Sequence, residues 1–273
     1  MNLYFCLYSN EKYEKPRKAL CNLAKSSNIF KGIFEYDRKW LESTEFYAEN
    51  NDVLNPDSKG DGWCLWKPYV ILTSLDKIKE GDILLYMDST DTFSPRIKDF
   101  LNSHFQNNDL LFCLMGDSPN KDYTKRDAFY YMGCDSEKYW ESKQLEAGII
   151  GIKKTERTIS IMKEYLGYCK DPRIIKDGVN TCGLDNFPAF VDHKYDQSVL
   201  TNLKTKYSIE PSKEVRYYVE CNIWEALKFW DNTGYEFNRK INRIYSDVFE
   251  RNPDLFLFWE KNYLKNLLKD NID

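Results

Sequence analysis

Up to about residue 205, apolar positions alternate between two patterns: short continuous runs and stripes at helical spacing. The runs are Leu3 to Tyr8, 28 to 36, Ile83 to Met87, 109 to 115 and 144 to 152. A run without polar alternation predicts a strand covered on both faces, as in a parallel or mixed sheet. The stripes lie between the runs. Ala19, Leu20, Leu23 and Ala24 give a helix over Glu11 to Ala24 that Pro16 interrupts early. Val70, Ile71, Ser74, Leu75 and Ile78 share one face of a helix that Pro68 opens, its missing N–H costing nothing in a first turn, and that Gly81 ends. Further stripes are Ile97, Phe100, Leu101 and His104; Ile159, Met162, Leu166 and Cys169 after a Thr155 cap; and Val199, Leu200 and Leu203. Residues 37 to 56 give a helical or irregular excursion. Strand and helix in alternation predict an α/β fold, with a mixed, mainly parallel sheet flanked by helices.

Residues 206 to 273 differ, being rich in Trp, Phe, Tyr and Lys. Leu255, Phe256, Trp259, Tyr263 and Leu267 line one face of a terminal helix after Pro253. This part is expected to be a helical extension packed on the domain formed by residues 1 to 205. The competing readings are a lid, or a peripheral membrane contact in which Lys261, Lys265 and Lys269 meet anionic lipid.

Chemistry gathers where the runs end. The strand at Ile83 to Met87 stops at Asp88, and in open α/β sheets the ligand crevice lies outside the carboxyl ends of the strands. Asp88, Ser89, Thr90 and Asp91 emerge there. Their hard oxygens could hold Mg²⁺ or Mn²⁺ against a diphosphate, although Asp-Ser-Thr-Asp is also good turn chemistry. Lys125 and Arg126 open a helix where two cations could reach the same diphosphate; the plain alternative is a solvated helix start with Arg126 paired to Asp127 or Asp122. Ala147 and Gly148 are small enough to let a ligand approach a strand closely. Asp196, Gln197 and Ser198 lead into another helix, which Asp196 could simply cap.

Gly60, Gly62, Trp66, Lys67, Pro68, then Gly81-Asp82 and an apolar strand ending Tyr86-x-Asp88 resemble the nucleotide-sugar-binding half of glycosyltransferases that build surface polysaccharides in bacteria and large viruses. The segment Thr124 to Phe129 resembles the same enzymes. Asp196-Gln197-Ser198 is similar to the Asp-Gln-Asp of retaining galactosyltransferases and glycogenin-like enzymes. The resemblance implies a GT-A-like fold over residues 1 to 205 and transfer of a hexosyl or pentosyl group from a UDP-linked donor to a glycan acceptor, with retention. It implies that Trp66, Lys67, Asp88, Ser89, Arg126, Ala147 and Gly148 meet the donor, that Asp88 and Asp91 hold Mn²⁺ or Mg²⁺, and that Asp196 and Gln197 stabilise the anomeric centre. In an inverting reaction Glu146 or Asp192 becomes the general base. The chain departs from the family's Asp-x-Asp motif, because Asp88-Ser89-Thr90 lacks the second acid and Asp91 comes one position late. A decayed motif is what a catalytically inactive nucleotide- or sugar-binding module would show, and a metal-dependent phosphodiesterase could use the same acids.

Composition narrows the field. With 273 residues and a hydrophobic fraction of 42%, the chain can bury a substantial core without disulfides. A formal net charge of −4 argues against a nucleic-acid partner. The eight cysteines form no C-x-x-C pair, so reduced thiols in a cytoplasmic protein are expected, and two histidines exclude a His-rich metal site. The run Leu3 to Tyr8 is short and lacks a basic flank, which fits a first strand and not an export signal.

Overall fold

The computed structural model describes residues 1–94 and 96–220. At its centre are β1 (Leu3–Ser9), β2 (Gly32–Asp37), β3 (Ile83–Met87), β5 (Leu110–Pro119) and β6 (Lys143–Lys153), while β4 (Thr92–Phe93) pairs with β7 (Val219–Glu220) in a small antiparallel ribbon. The central sheet runs β2-β1-β3-β6-β5. β1 is parallel to β2 and β3, and β6 is antiparallel to both β3 and β5. Four of the five strands therefore point the same way, and β6 alone is reversed.

The continuous apolar runs follow from this layering. On β3, Leu84 and Tyr86 face a core shared with the helices Trp66–Asp76, Glu156–Cys169 and Tyr195–Lys206. Ile83, Leu85 and Met87 face a second core, with the helices Glu14–Ser27 and Ile97–Asn107. Every residue of β3 is buried, so none can be polar without a partner.

Local details correct the sequence-based boundaries. Pro16 does not interrupt a helix: a 3-10 turn covers Glu11–Tyr13, and Pro16 then sits in the first turn of Glu14–Ser27, where no helical N–H is needed. The Trp66–Asp76 helix ends before Gly81, which turns the chain into β3 at φ 80° while its N–H reaches Lys154 O. In Glu156–Cys169 the buried stripe is Ile161, Met162, Tyr165 and Cys169, with Ile159 and Leu166 half-buried, because helices pack on two sides of it. Thr155 caps this helix in a capping box with Thr158. His104 binds Leu110 O and has a structural role.

Val215 and Val219 enter the second core, and the Ser212 N–H reaches Phe112 O. The helix inferred around Leu255 to Lys269 lies outside the described residues. Among the described residues no helix is long and apolar enough to cross a membrane, and the seven cysteines are all free thiols.

Candidate active site

From β1 the chain crosses over to β2 on one side, then returns past β1 to β3 on the other. The carboxyl ends of β1 and β3 thus diverge at a topological switch point, where open α/β sheets form their ligand crevice. A cleft of about 530 Å³ lies there. Tyr8, Ser9 and Asn10 line it from the end of β1, Asp88, Ser89 and Thr90 from the end of β3, and Trp66 with residues 56–61 form a further wall.

That wall has an unusual backbone. Gly60, Asp61, Gly62, Trp63 and Cys64 have φ of 61°, 54°, 96°, 57° and 60°, a left-handed turn in which three residues carry side chains. Each non-glycine residue there costs about 1–2 kcal/mol, so other contacts must hold the turn. Asp61 provides them. One carboxylate oxygen accepts the Tyr8 hydroxyl at 2.6 Å and the other pairs with Arg38 at 3.1 Å, both charges being buried. Arg38 also donates to Leu54 O at 2.8 Å and to Glu42 at 2.8 Å. Gly62 is required for room as well as φ, since a Cβ there would lie 2.7 Å from Leu54 Cα. Trp66 donates its indole N–H to Gly60 O at 2.9 Å and stacks on Tyr8, with ring centroids 4.1 Å apart.

Asp88 joins the cleft to a charge cluster whose other members are buried. Lys67 Nζ is 3.0 Å from Ala147 O, 3.2 Å from Asp196 Oδ2 and 3.3 Å from Asp88 Oδ1. Tyr86 donates to Asp88, and Tyr165 donates to Asp196 at 2.8 Å. Burial pulls the Lys67 pKa down, but Asp196 and Asp88 outweigh it and hold the ammonium charged. Burial pushes the Asp196 carboxyl up, and Lys67 and Tyr165 oppose that. Asp196 is therefore turned into the cluster and is not the helix cap; Lys194, the N-cap residue, has no side-chain cap bond either.

Gly148 shows where carboxylates converge. A Cβ on it would lie 2.7 Å from Asp91 Oδ2, 3.4 Å from Glu146 Oε1 and 3.5 Å from Asp88 Oδ2. Asp88 and Asp91 thus turn oxygens toward the same side-chain-free position, and the Asp88 N–H is fixed on Gly148 O at 2.8 Å. Among the described residues no group of three or more His, Cys, Asp or Glu has metal-holding geometry. Two hard carboxylates fit the part of a Mg²⁺ or Mn²⁺ shell that a protein provides when substrate phosphates provide the rest. Glu146 is half-buried, and burial followed by the Asp88 charge raises its pKa above the ordinary 4.5. Gln197 Oε1 accepts the Ala147 N–H at 3.2 Å, which places the Gln197 amide beside the same strand.

The remaining candidates lie apart from this cluster. Arg126 is flanked by Trp140 and Phe187, 5.1 and 4.5 Å from their ring centroids, and pairs with Asp135 at 3.0 Å. Asp192 pairs with Lys194 at 3.3 Å and lies 3.8 Å from Lys59. Asp127 accepts the N–H groups of Thr181 and Cys182 and pins the loop before the Tyr195–Lys206 helix. Sequence reasoning named Tyr86 only as part of a motif and missed Tyr8, Arg38, Asp61 and Tyr165; the one available signal for these was an aspartate between two glycines at 60–62.

His193 anchors that loop from within. Its Nδ1 accepts the Lys125 N–H at 3.3 Å and its Nε2–H donates to Ile174 O at 2.9 Å. Burial, reinforced by Lys125, lowers its pKa from 6.5 to about 3. Below pH 6.5 the unfolded chain takes up a proton that the folded chain refuses, so stability falls as pH drops from 6.5 towards about 3. The loss is at most about 1.4 kcal/mol per pH unit. Urea midpoints across that window should fall more steeply for wild type than for His193→Gln, and equal slopes would remove His193 as the cause.

No family model and no curated protein sequence matches the chain. Among solved structures, a glycosyltransferase involved in the glycosylation of the major capsid of PBCV-1 is similar to 77% of this chain and 75% of its own, at 14% identity and a TM-score of 0.38. Mouse xyloside xylosyltransferase 1 in its apo form is similar over 76% of this chain and 83% of its own, at 11% identity and a TM-score of 0.42. The apo-form glycosyltransferase GlyE of Streptococcus pneumoniae is similar over 78% of this chain but 46% of its own, at 13% identity and a TM-score of 0.39.

Proposed function

We propose that the chain is a glycosyltransferase that moves a sugar from a UDP-linked donor to a glycan hydroxyl with retention of configuration. The observation that carries this reading is the convergence on Gly148 of Asp91 and of Asp88, which lines the switch-point cleft, with Gln197 against the adjoining Ala147. Together with the sequence motifs, it supports a division of labour. Trp66 and Ser89 line the donor side, and Ala147 and Gly148 would meet the sugar, Gly148 having no side chain to strike the carboxylates beside it. Asp88 and Asp91 would hold a divalent ion, which when bound would neutralise charge developing on the departing diphosphate. Gln197 and Asp196 lie on the side of the anomeric carbon. Glu146, whose raised pKa suits proton exchange, receives the acceptor proton in an inverting variant of the scheme.

The test is a panel of nucleotide sugars with Mn²⁺ or with chelator, read by thermal shift and by nucleotide product. Free UDP should appear with one donor, and that donor should raise the melting temperature only with metal. UMP as product would instead mean a phosphodiesterase. A thermal shift without turnover, acceptor present, would mean a binding module.

A further inference from the structure

We propose that Lys67 is a positioning residue that locks Asp88 and Asp196 into one arrangement and makes no contact with the donor's phosphates. An ammonium has three N–H donors, and Lys67 faces three acceptors at 3.0, 3.2 and 3.3 Å. Its side chain is 4% exposed, and the rings of Tyr86 and Trp66 lie 5.4 and 5.8 Å away. A phosphate could reach Nζ only by displacing a carboxylate or the Ala147 carbonyl. The acceptors come from three different elements: the end of β3, strand β6, and the first turn of Tyr195–Lys206. One atom therefore fixes the donor-side carboxylate relative to the anomeric-side carboxylate. Tyr86 and Tyr165 donate to the same two oxygens that Lys67 meets, Asp88 Oδ1 and Asp196 Oδ2. Arg would serve poorly here, because its planar fork cannot direct three donors to acceptors spread around a point.

The catalytic part of this proposal rests on the glycosyltransferase reading, whereas the clamp itself can be tested without activity. The first measurement is a stability cycle. Lys67→Met should lower the melting temperature sharply by leaving Asp196 buried without its cation, and Lys67→Met/Asp196→Asn should recover part of that loss. Additive losses would overturn the clamp. The second measurement separates binding from turnover. Lys67→Met should reduce turnover about 100-fold through misplaced groups. UDP affinity with Mn²⁺ should change less than about threefold, whereas loss of a charged phosphate contact would weaken it roughly 10- to 100-fold. If Lys67→Met does not fold, the double variant carries the UDP measurement. A wild-type protein inert to every UDP sugar sinks the functional reading, and the stability cycle still decides the clamp.

Discussion

Asp88→Asn is expected to cut turnover of the nucleotide-sugar donor about 100- to 1,000-fold while the protein still folds. The carboxylate leaves the end of β3 with its side chain 35% exposed, one oxygen held by Tyr86 and Lys67 and the other facing Gly148. An amide keeps the shape and an acceptor oxygen but removes the charge that a divalent ion needs. Lys67 retains Asp196 and Ala147 O, so no buried ion is left alone and the melting temperature should move little. UDP release by the purified variant, beside a thermal melt, checks both halves. Unchanged turnover would take Asp88 out of the site.

Arg38→Met is expected to have the largest effect on stability. It strands the Asp61 carboxylate, whose side chain is 6% exposed, inside a turn already held against its preferred hand. Removing one partner of a buried pair costs about 3–5 kcal/mol, which lowers the melting temperature by roughly 10 °C or more. Arg38→Met/Asp61→Asn should regain much of that, because neither half is then an uncompensated charge. A single variant that melts with wild type would show that the turn is held by its glycines and by Leu54 alone.

These two residues mark the boundary of what the sequence makes legible. Asp88 could be found because it ends an unbroken apolar run, and burial of β3 on both faces writes that run directly into the chain. Gly148 could be found because lack of a side chain beside a strand core is itself a signal. Arg38 and Asp61 could not be paired, since their contact joins positions 23 apart through an irregular segment with no periodicity. The glycines at 60 and 62 announced a special backbone, but nothing announced that Asp61, Trp63 and Cys64 share its hand. Lys67 was legible as a motif residue and not as a clamp, because a lysine's burial depends on partners that arrive from β6 and from the Tyr195–Lys206 helix. Arg126 illustrates the converse: its flanking aromatics and Asp135 lie in segments that the local pattern does not connect to it.

The strand order also governs how the chain can be made. β6 is later in sequence than β5 yet fills the gap between β3 and β5, and it brings the Gly148 carbonyl that receives the Asp88 N–H. During synthesis β1, β2 and β3 can associate early, but β3 then has a bare, wholly apolar edge until residue 153 has left the ribosome. Such an edge invites pairing with another nascent chain. Placement of Gly148 beside Asp88 and Asp91 and protection of that edge are thus a single late event, and a chain stalled before β6 would be prone to aggregate.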